Sequence, residues 1–378
     1  MNILKVAELT EGMRFSKPVF FDGDSLLVPA DLPVKKKDLE RLIRWEIEEV
    51  TTEGVLVKDT AEEKQRETYS EMLQSQADKD LLELYTSSVE KMNAVFSAVH
   101  ANKLVNNEVI EKIVSSMLTA LKENRDEMIS FIILSGLGEQ NLAASSVNTT
   151  IISIFIAQYM KLPSHRLIQL ATAALLHDIG MMKVPDAVTR KNEKLSEDEF
   201  KLIRTHVIYS YRIITKTLKF AEEVGSIALQ HHERWDGNGY PNKLSGDKIN
   251  QASRILCVAD AFEAMVSVRP YRNSMIGYKA MRELLNDNSR RFDSEILKVF
   301  IKIMGIYPIG SIVLLNDASI GRVVAVRGDA PLRPAVKLMV NKNGGKLKDN
   351  APVIDLLNEK DLYIARAINP REVHDSQA

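Results

Sequence analysis

Histidine is scarce in this chain: seven in 378 residues, and four of the seven fall between His177 and His232. His177 and Asp178 close the apolar segment ATAALLHDIG. His206 follows 29 residues later in KLIRTHVIYSYRII, and His231-His232 end VGSIALQ and open the run HHERWDGNGYP. Asp260 comes 28 residues after His232, inside the apolar stretch RILCVADAFEAM. A carboxylate among apolar neighbours is costly unless it is paired or bound to a metal. A fold that buries these segments must therefore bring these groups together. Neighbouring residues at a helix end diverge by about 100°, so His177 and Asp178 can face different partners. Imidazole with carboxylate suits Fe, Mn, Ni or Zn, and a carboxylate can bridge two ions. His177, Asp178, His206, His231, His232 and Asp260 thus form a candidate site for two divalent metal ions.

The rest of the chain divides by pattern. In residues 1–56, short apolar runs flank Asp22-Gly23-Asp24 in VFFDGDSLLVPADLPV, which predicts a hairpin, and KKKDLERLIRWEIEEV predicts a helix. Residues 57–140 read as a helical connector. There Leu82, Tyr85, Val89, Met92, Phe96 and Val99 step by three and four, and Ile110, Val114, Met117 and Leu121 resume the stepping. Such a seam serves either packing within its own domain or a homodimer through the helices of 82–121. Residues 141–304 alternate apolar helices with polar loops, and a helical bundle is a common frame for a dinuclear site. Residues 305–370 are β-branched with turns at Asp317, Gly321, Gly328 and Asn343-Gly344, which predicts a small β domain. Residues 371–378 form a tail.

The order HDIG, HHERWDGNGYP, SRILCVADAF and RPYR (Arg269 to Arg272) resembles the HD-GYP family, a branch of the HD phosphohydrolases, over roughly residues 141–304. The resemblance implies a mainly α fold, an HD-domain bundle flanked by the small N-terminal module, the long helices and the C-terminal β domain. It implies hydrolysis of the 3′-5′ phosphodiester of cyclic di-GMP to the linear dinucleotide, cut again to GMP by some members, through a hydroxide held between the ions. Asp178 then bridges the ions, and His232 binds metal or donates to phosphate. Tyr240, Arg269 and Arg272 meet the substrate, because guanidinium forks suit phosphate oxygens. The Gly-rich loop Asp236–Pro241, in which Gly237 and Gly239 permit positive φ, is also the place where a GGDEF-domain or other signalling protein would dock.

The chain departs from that family's pattern at several positions. Ser145 stands where the family carries a metal-ligating histidine, and Asn141 where a three-metal variant has glutamate. Met181 replaces a phosphate-binding lysine, for which Lys183 is the nearby substitute. Val207 and Ser210 replace a proline and a glycine after His206. Three functions stay open on these residues. One is metal-dependent hydrolysis of cyclic di-GMP. Another is a degenerate module that binds cyclic di-GMP or a partner protein without turnover. The third is a phosphohydrolase acting on another nucleotide.

Composition excludes other classes. Fifty Lys and Arg against 51 Asp and Glu leave a net charge of −1, which argues against a nucleic-acid partner. Cys257 is the one cysteine, so there is no disulfide framework and a reducing cytoplasm is expected. The longest apolar stretch, from Ile151, is broken by Gln158 and Lys161, so no membrane span is expected.

Overall fold

The structure is a computed structural model that describes residues 2–6, 9–10, 13, 15–21, 25–28, 34, 36–45, 47–54, 79–124, 141–189, 191, 195–267, 277–347 and 350–368. It separates into two units, Met1–Met72 and Leu73–Ala378.

In the first unit, β1 (Asn2–Lys5), β2 (Val19–Phe21), β3 (Ser25–Val28) and β4 (Glu49–Thr52) form an antiparallel sheet in the order β1-β4-β2-β3, with helix α1 (Lys36–Arg44) between β3 and β4. The predicted hairpin is β2–β3, with Phe21 opposite Ser25; its turn, Asp22 to Asp24, lies outside the described residues. The predicted helix stops at Arg44, and Glu49-Val50 belong to the central strand, where Val50 is wholly buried among Val19, Phe21 and Leu42. Arg41 stacks on Phe21 and Trp45 and helps fix that corner.

The second unit opens with α2 (Lys79–His100) and α3 (Asn107–Glu123). The bundle continues with α4 (Leu142–Tyr159), α5 (Ser164–Leu176), the short α6 (Asp186–Thr189), α7 (Glu197–Arg204), α8 (His206–Arg212) and α9 (Glu222–Leu229). It ends with α10 (Gln251–Val266), α11 (Gly277–Asn286) and α12 (Ser294–Met304). A single hydrophobic core runs from Leu81 to Met304. Met92, Phe96, Val99, Ile110, Val114, Met117 and Leu121 all lie inside it. Residues 79–124 form two helices packed into the bundle, and the stepped seam faces the chain's own core. A three-four pattern states that a face is buried, not what buries it.

Helix α4 lies across the middle of this core. Its 18 residues are long and apolar enough to cross a bilayer, but Ala143 to Ala157 are buried against neighbouring helices almost without interruption. Ser146, Asn148, Thr149, Thr150 and Ser153 are buried too; Tyr85 of α2 donates to Asn148 Oδ1 at 3.0 Å. Asn141, at the position of the family's optional glutamate, caps the helix by accepting from Ala144 N–H. Capping suits a short side chain whose oxygen reaches the free N–H groups of the first turn.

Beyond Met304 the chain forms β5 (Ile312–Leu315), β6 (Ile320–Ala325), β7 (Ala335–Val340), β8 (Val353–Asp355) and β9 (Ile364–Ile368). The antiparallel order is β8-β7-β6-β5-β9. The predicted Asn343-Gly344 turn is present: Gly344 takes φ 81° and Val340 bridges to Lys346. Val313, Leu315, Val323, Val336 and Leu356 make a core of their own, and stacking of Tyr278 on Tyr307 joins the sheet to the bundle.

Candidate metal centre

Five of the six ligand candidates, Asp178 beside His177 included, sit where helices end or begin. His177 follows the last residue of α5, His206 opens α8, and His231-His232 follow α9; Asp260 alone is mid-helix, in α10. Three imidazoles are tied in the same way. Nδ1 of His177, His206 and His231 lies 2.7, 2.7 and 2.6 Å from the carbonyl three residues earlier, of Ala174, Ile203 and Ala228. A carbonyl can only accept, so each Nδ1 carries a proton, and each ring, when neutral, has its lone pair on Nε2. All three Nε2 atoms are buried and lack a hydrogen-bonding partner.

Those lone pairs converge on two carboxylates. Asp178 Oδ1 lies 3.1 Å from His206 Nε2 and 3.8 Å from His231 Nε2. Its other oxygen, Oδ2, lies 3.5 Å from His177 Nε2, and Asp260 Oδ1 lies 3.6 Å from the same nitrogen. Donor atoms of Asp178, His206, His231 and His232 all fall within 4.8 Å of one another. Asp178 therefore has one oxygen toward each of two donor groups: His206, His231 and His232 on one side, His177 and Asp260 on the other. Buried nitrogen lone pairs with no donor opposite them, mixed with carboxylates, are a donor set for a divalent cation. These residues fit such an ion.

The charges are strongly coupled. Burial pushes His177 down, but the carboxylates of Asp178 and Asp260 outweigh it and raise the ring to about 9. Asp178 is held well below the usual carboxylate range: burial opposes this, and His177, His206 and His231 override it. Asp260 is depressed in the same way, chiefly by His177 against the cost of burial. Burial, then the neighbouring rings of His177 and His206, lower His231 to about 4, and burial with His231 lowers His232 well below its ordinary value. An ion must displace the His177 proton, because a ligand binds deprotonated. Below pH 9 that competition weakens binding, and above it the competition ends. Apparent Mn²⁺ affinity is expected to rise about tenfold per pH unit between 7 and 9 and then level off; titration at a series of pH values measures it, and a flat profile would refute it.

The GYP loop closes one side. Tyr240 lies 4.8 Å from the His232 ring, and its backbone N–H donates to the His232 carbonyl at 3.2 Å. Burial, then the charges of Asp178 and Asp260, raise the Tyr240 hydroxyl above its ordinary value. Gly237 has the positive φ expected of it, 79°, but Gly239 does not. Gly239 is there for close approach: a Cβ would lie 2.4 Å from Arg234 N and 2.6 Å from the His232 carbonyl. Glu233, buried beside His232, accepts from the N–H groups of Asn242 and Leu244 and holds the loop's exit.

Two of the substituted positions, Ser145 and Ser210, have physical accounts. Ser145 donates to Glu263 Oε2 at 2.6 Å, and Ser267 donates to Glu263 Oε1 at 2.6 Å. Glu263 is wholly buried one turn beyond Asp260. Its apolar neighbours carry the same signal that singled out Asp260, yet the sequence reading passed over it. Ser145→Ala deprives this carboxylate of a donor and is expected to cost about 1–3 kcal/mol of stability, to be read from urea denaturation. Ser210 accepts the Gly180 N–H at 2.9 Å and ties α8 to the His-Asp turn. The Lys183 ammonium donates to the Val99 carbonyl at 3.0 Å and to Asn102 at 2.7 Å, fastening the end of α2. Arg269 and Arg272 lie outside the described residues.

Residues 108–296, half of the chain, match the family described as HD domain, and residues 312–376 match a KOW domain associated with HD domain. A cyclic di-GMP phosphodiesterase of Pseudomonas aeruginosa is 31% identical over 266 residues, which cover 70% of this chain and 61% of that protein. The cyclic di-GMP phosphodiesterase PdeB of Borreliella burgdorferi is 24% identical over 354 residues, covering 93% of this chain and 92% of that one. A cyclic di-GMP phosphodiesterase of Thermotoga maritima is 36% identical over 149 residues, 39% and 40% of the two lengths. The chain thus spans less than two thirds of the Pseudomonas and Thermotoga proteins and nearly all of the Borreliella one. The HD-domain match covers the His-Asp turn, the paired histidines with their GYP loop and Asp260, and the chain belongs to the HD-domain family, in its HD-GYP branch.

Proposed function

We propose that this chain hydrolyses a 3′-5′ phosphodiester of cyclic di-GMP and releases the linear dinucleotide. The observation that carries the reading is the convergence of three buried, unpartnered Nε2 lone pairs on Asp178. The similarity to proteins named as cyclic di-GMP phosphodiesterases supports the choice of substrate.

His206, His231, His232 and Asp178 would hold one ion, and His177, Asp260 and the other oxygen of Asp178 a second; Fe or Mn is the first choice, with Ni or Zn open. Bound divalent ions supply Lewis acidity and make water a nucleophile near neutral pH. The chain's own groups set the geometry. The Ala174, Ile203 and Ala228 carbonyls fix the tautomers, so no ring has to turn on binding. His232, kept neutral, is a ligand and not a general acid at neutral pH. Tyr240 lines the entrance with its ring and keeps its hydroxyl protonated as a donor. Overall, a water oxygen bonds to phosphorus, the bond to the 3′ oxygen breaks, and the water's proton ends on that oxygen.

The test is anaerobic turnover of cyclic di-GMP by the purified protein with added Fe²⁺ or Mn²⁺, alongside the double variant His177→Ala, Asp178→Ala. Linear product from the wild type alone is expected. Dinucleotide binding with full metal sites and no product would replace hydrolysis with sensing.

A further inference from the structure

Arg204 stands beside the centre without a counter-charge. It is exposed, at the end of α7 and two residues before His206, and its guanidinium lies over the Tyr240 ring, 5.3 Å from Cζ to centroid. Tyr240 in turn packs 4.8 Å from His232. Among the described residues no carboxylate pairs with Arg204, whereas Lys201 meets Asp198, Arg234 meets Asp236, and Arg254 meets Asp247 and Asp293. A guanidinium resting on a ring face keeps its N–H groups in its own plane, pointing past the ring edge, where a two-oxygen acceptor can bridge them.

A cyclic dinucleotide carries two phosphodiesters, and only one can react at a time. The other is an anion that must also be held. Met181 offers no charge for it, and the Lys183 ammonium is tied to Val99 and Asn102. We propose that Arg204 binds the second, unreacting phosphate of the dinucleotide, moving from the Tyr240 ring onto its two free oxygens. The proposal rests on the phosphodiesterase reading above, since it presumes a substrate with two phosphates.

The experiment compares full-length, Mn²⁺-loaded wild type with Arg204→Ala on two substrates: cyclic di-GMP, and bis(p-nitrophenyl) phosphate, which has one phosphodiester. Loss of a bidentate charged contact should raise KM for the dinucleotide about ten- to a hundredfold. The fall in kcat/KM should be at least tenfold greater on the dinucleotide than on the small diester. Equal losses on both substrates would mean that Arg204 only props Tyr240, and no loss would mean that it binds nothing; either overturns the proposal. If the wild type cleaves the small diester and not the dinucleotide, the cyclic di-GMP phosphodiesterase reading fails, and equilibrium binding of cyclic di-GMP decides Arg204. Tenfold weaker binding by the variant then upholds it, and unchanged or absent binding overturns it.

Discussion

Asp178→Ala is expected to lower cyclic di-GMP hydrolysis by about a thousandfold or more, while the protein stays folded. The size follows from position. Asp178 is the one group with an oxygen toward each half of the donor cluster, 3.1 Å from His206 on one side and 3.5 Å from His177 on the other. On the proposed two-ion reading its removal would loosen both ions, and the Lewis-acid contribution of bound metal is worth several kcal/mol at the transition state, with each 1.36 kcal/mol a factor of ten in rate. It also leaves the high-pKa His177 ring facing Asp260 alone. Metal content by mass spectrometry should fall together with kcat. A variant that retained both ions and a tenth of the activity would show that Asp178 is not shared.

Gly180→Ala should cost about a hundredfold in kcat/KM and lower the melting temperature as well. A Cβ on Gly180 would lie 2.1 Å from the His206 carbonyl oxygen and 2.5 Å from the Ser210 nitrogen. Both are backbone atoms of α8, and neither can turn aside as a long side chain would. The helix must shift, overpacking of this kind costs about 1–3 kcal/mol, and His206 moves with it. A displacement of about 1 Å at a reacting geometry is enough for a hundredfold loss. Thermal melting and steady-state kinetics on one preparation check both effects; normal kinetics with a lowered melting point would place the strain elsewhere in α8.

The clustering of these histidines and aspartates was legible in the sequence because few physical roles exist for such residues in apolar helical segments. The β-rich C-terminal module was legible for a similar reason, since β-branched runs punctuated by Asn343-Gly344 have one common solution. The partners of those segments were not legible. The stepped pattern of α2 and α3 requires burial, and only the three-dimensional arrangement assigns that burial to α4 and α5. Nor could spacing reveal that Ser145 and Glu263, 118 residues apart, share a hydrogen bond, or that Lys183 is engaged by the end of α2. Arg204 escaped notice because its importance comes from a ring 36 positions further along the chain.

The carbonyls that orient the three histidines bear on how such a centre withstands divergence. In many metal sites the group behind the ligand is another side chain, and one codon change removes it. Here the supporting atoms belong to the main chain of Ala174, Ile203 and Ala228, which every substitution except one that breaks the helix leaves in place. Each ligand and its support are also only three residues apart, so they travel together through insertions elsewhere. Random mutation can therefore wear away the surrounding sequence without reaching the atoms that aim these rings.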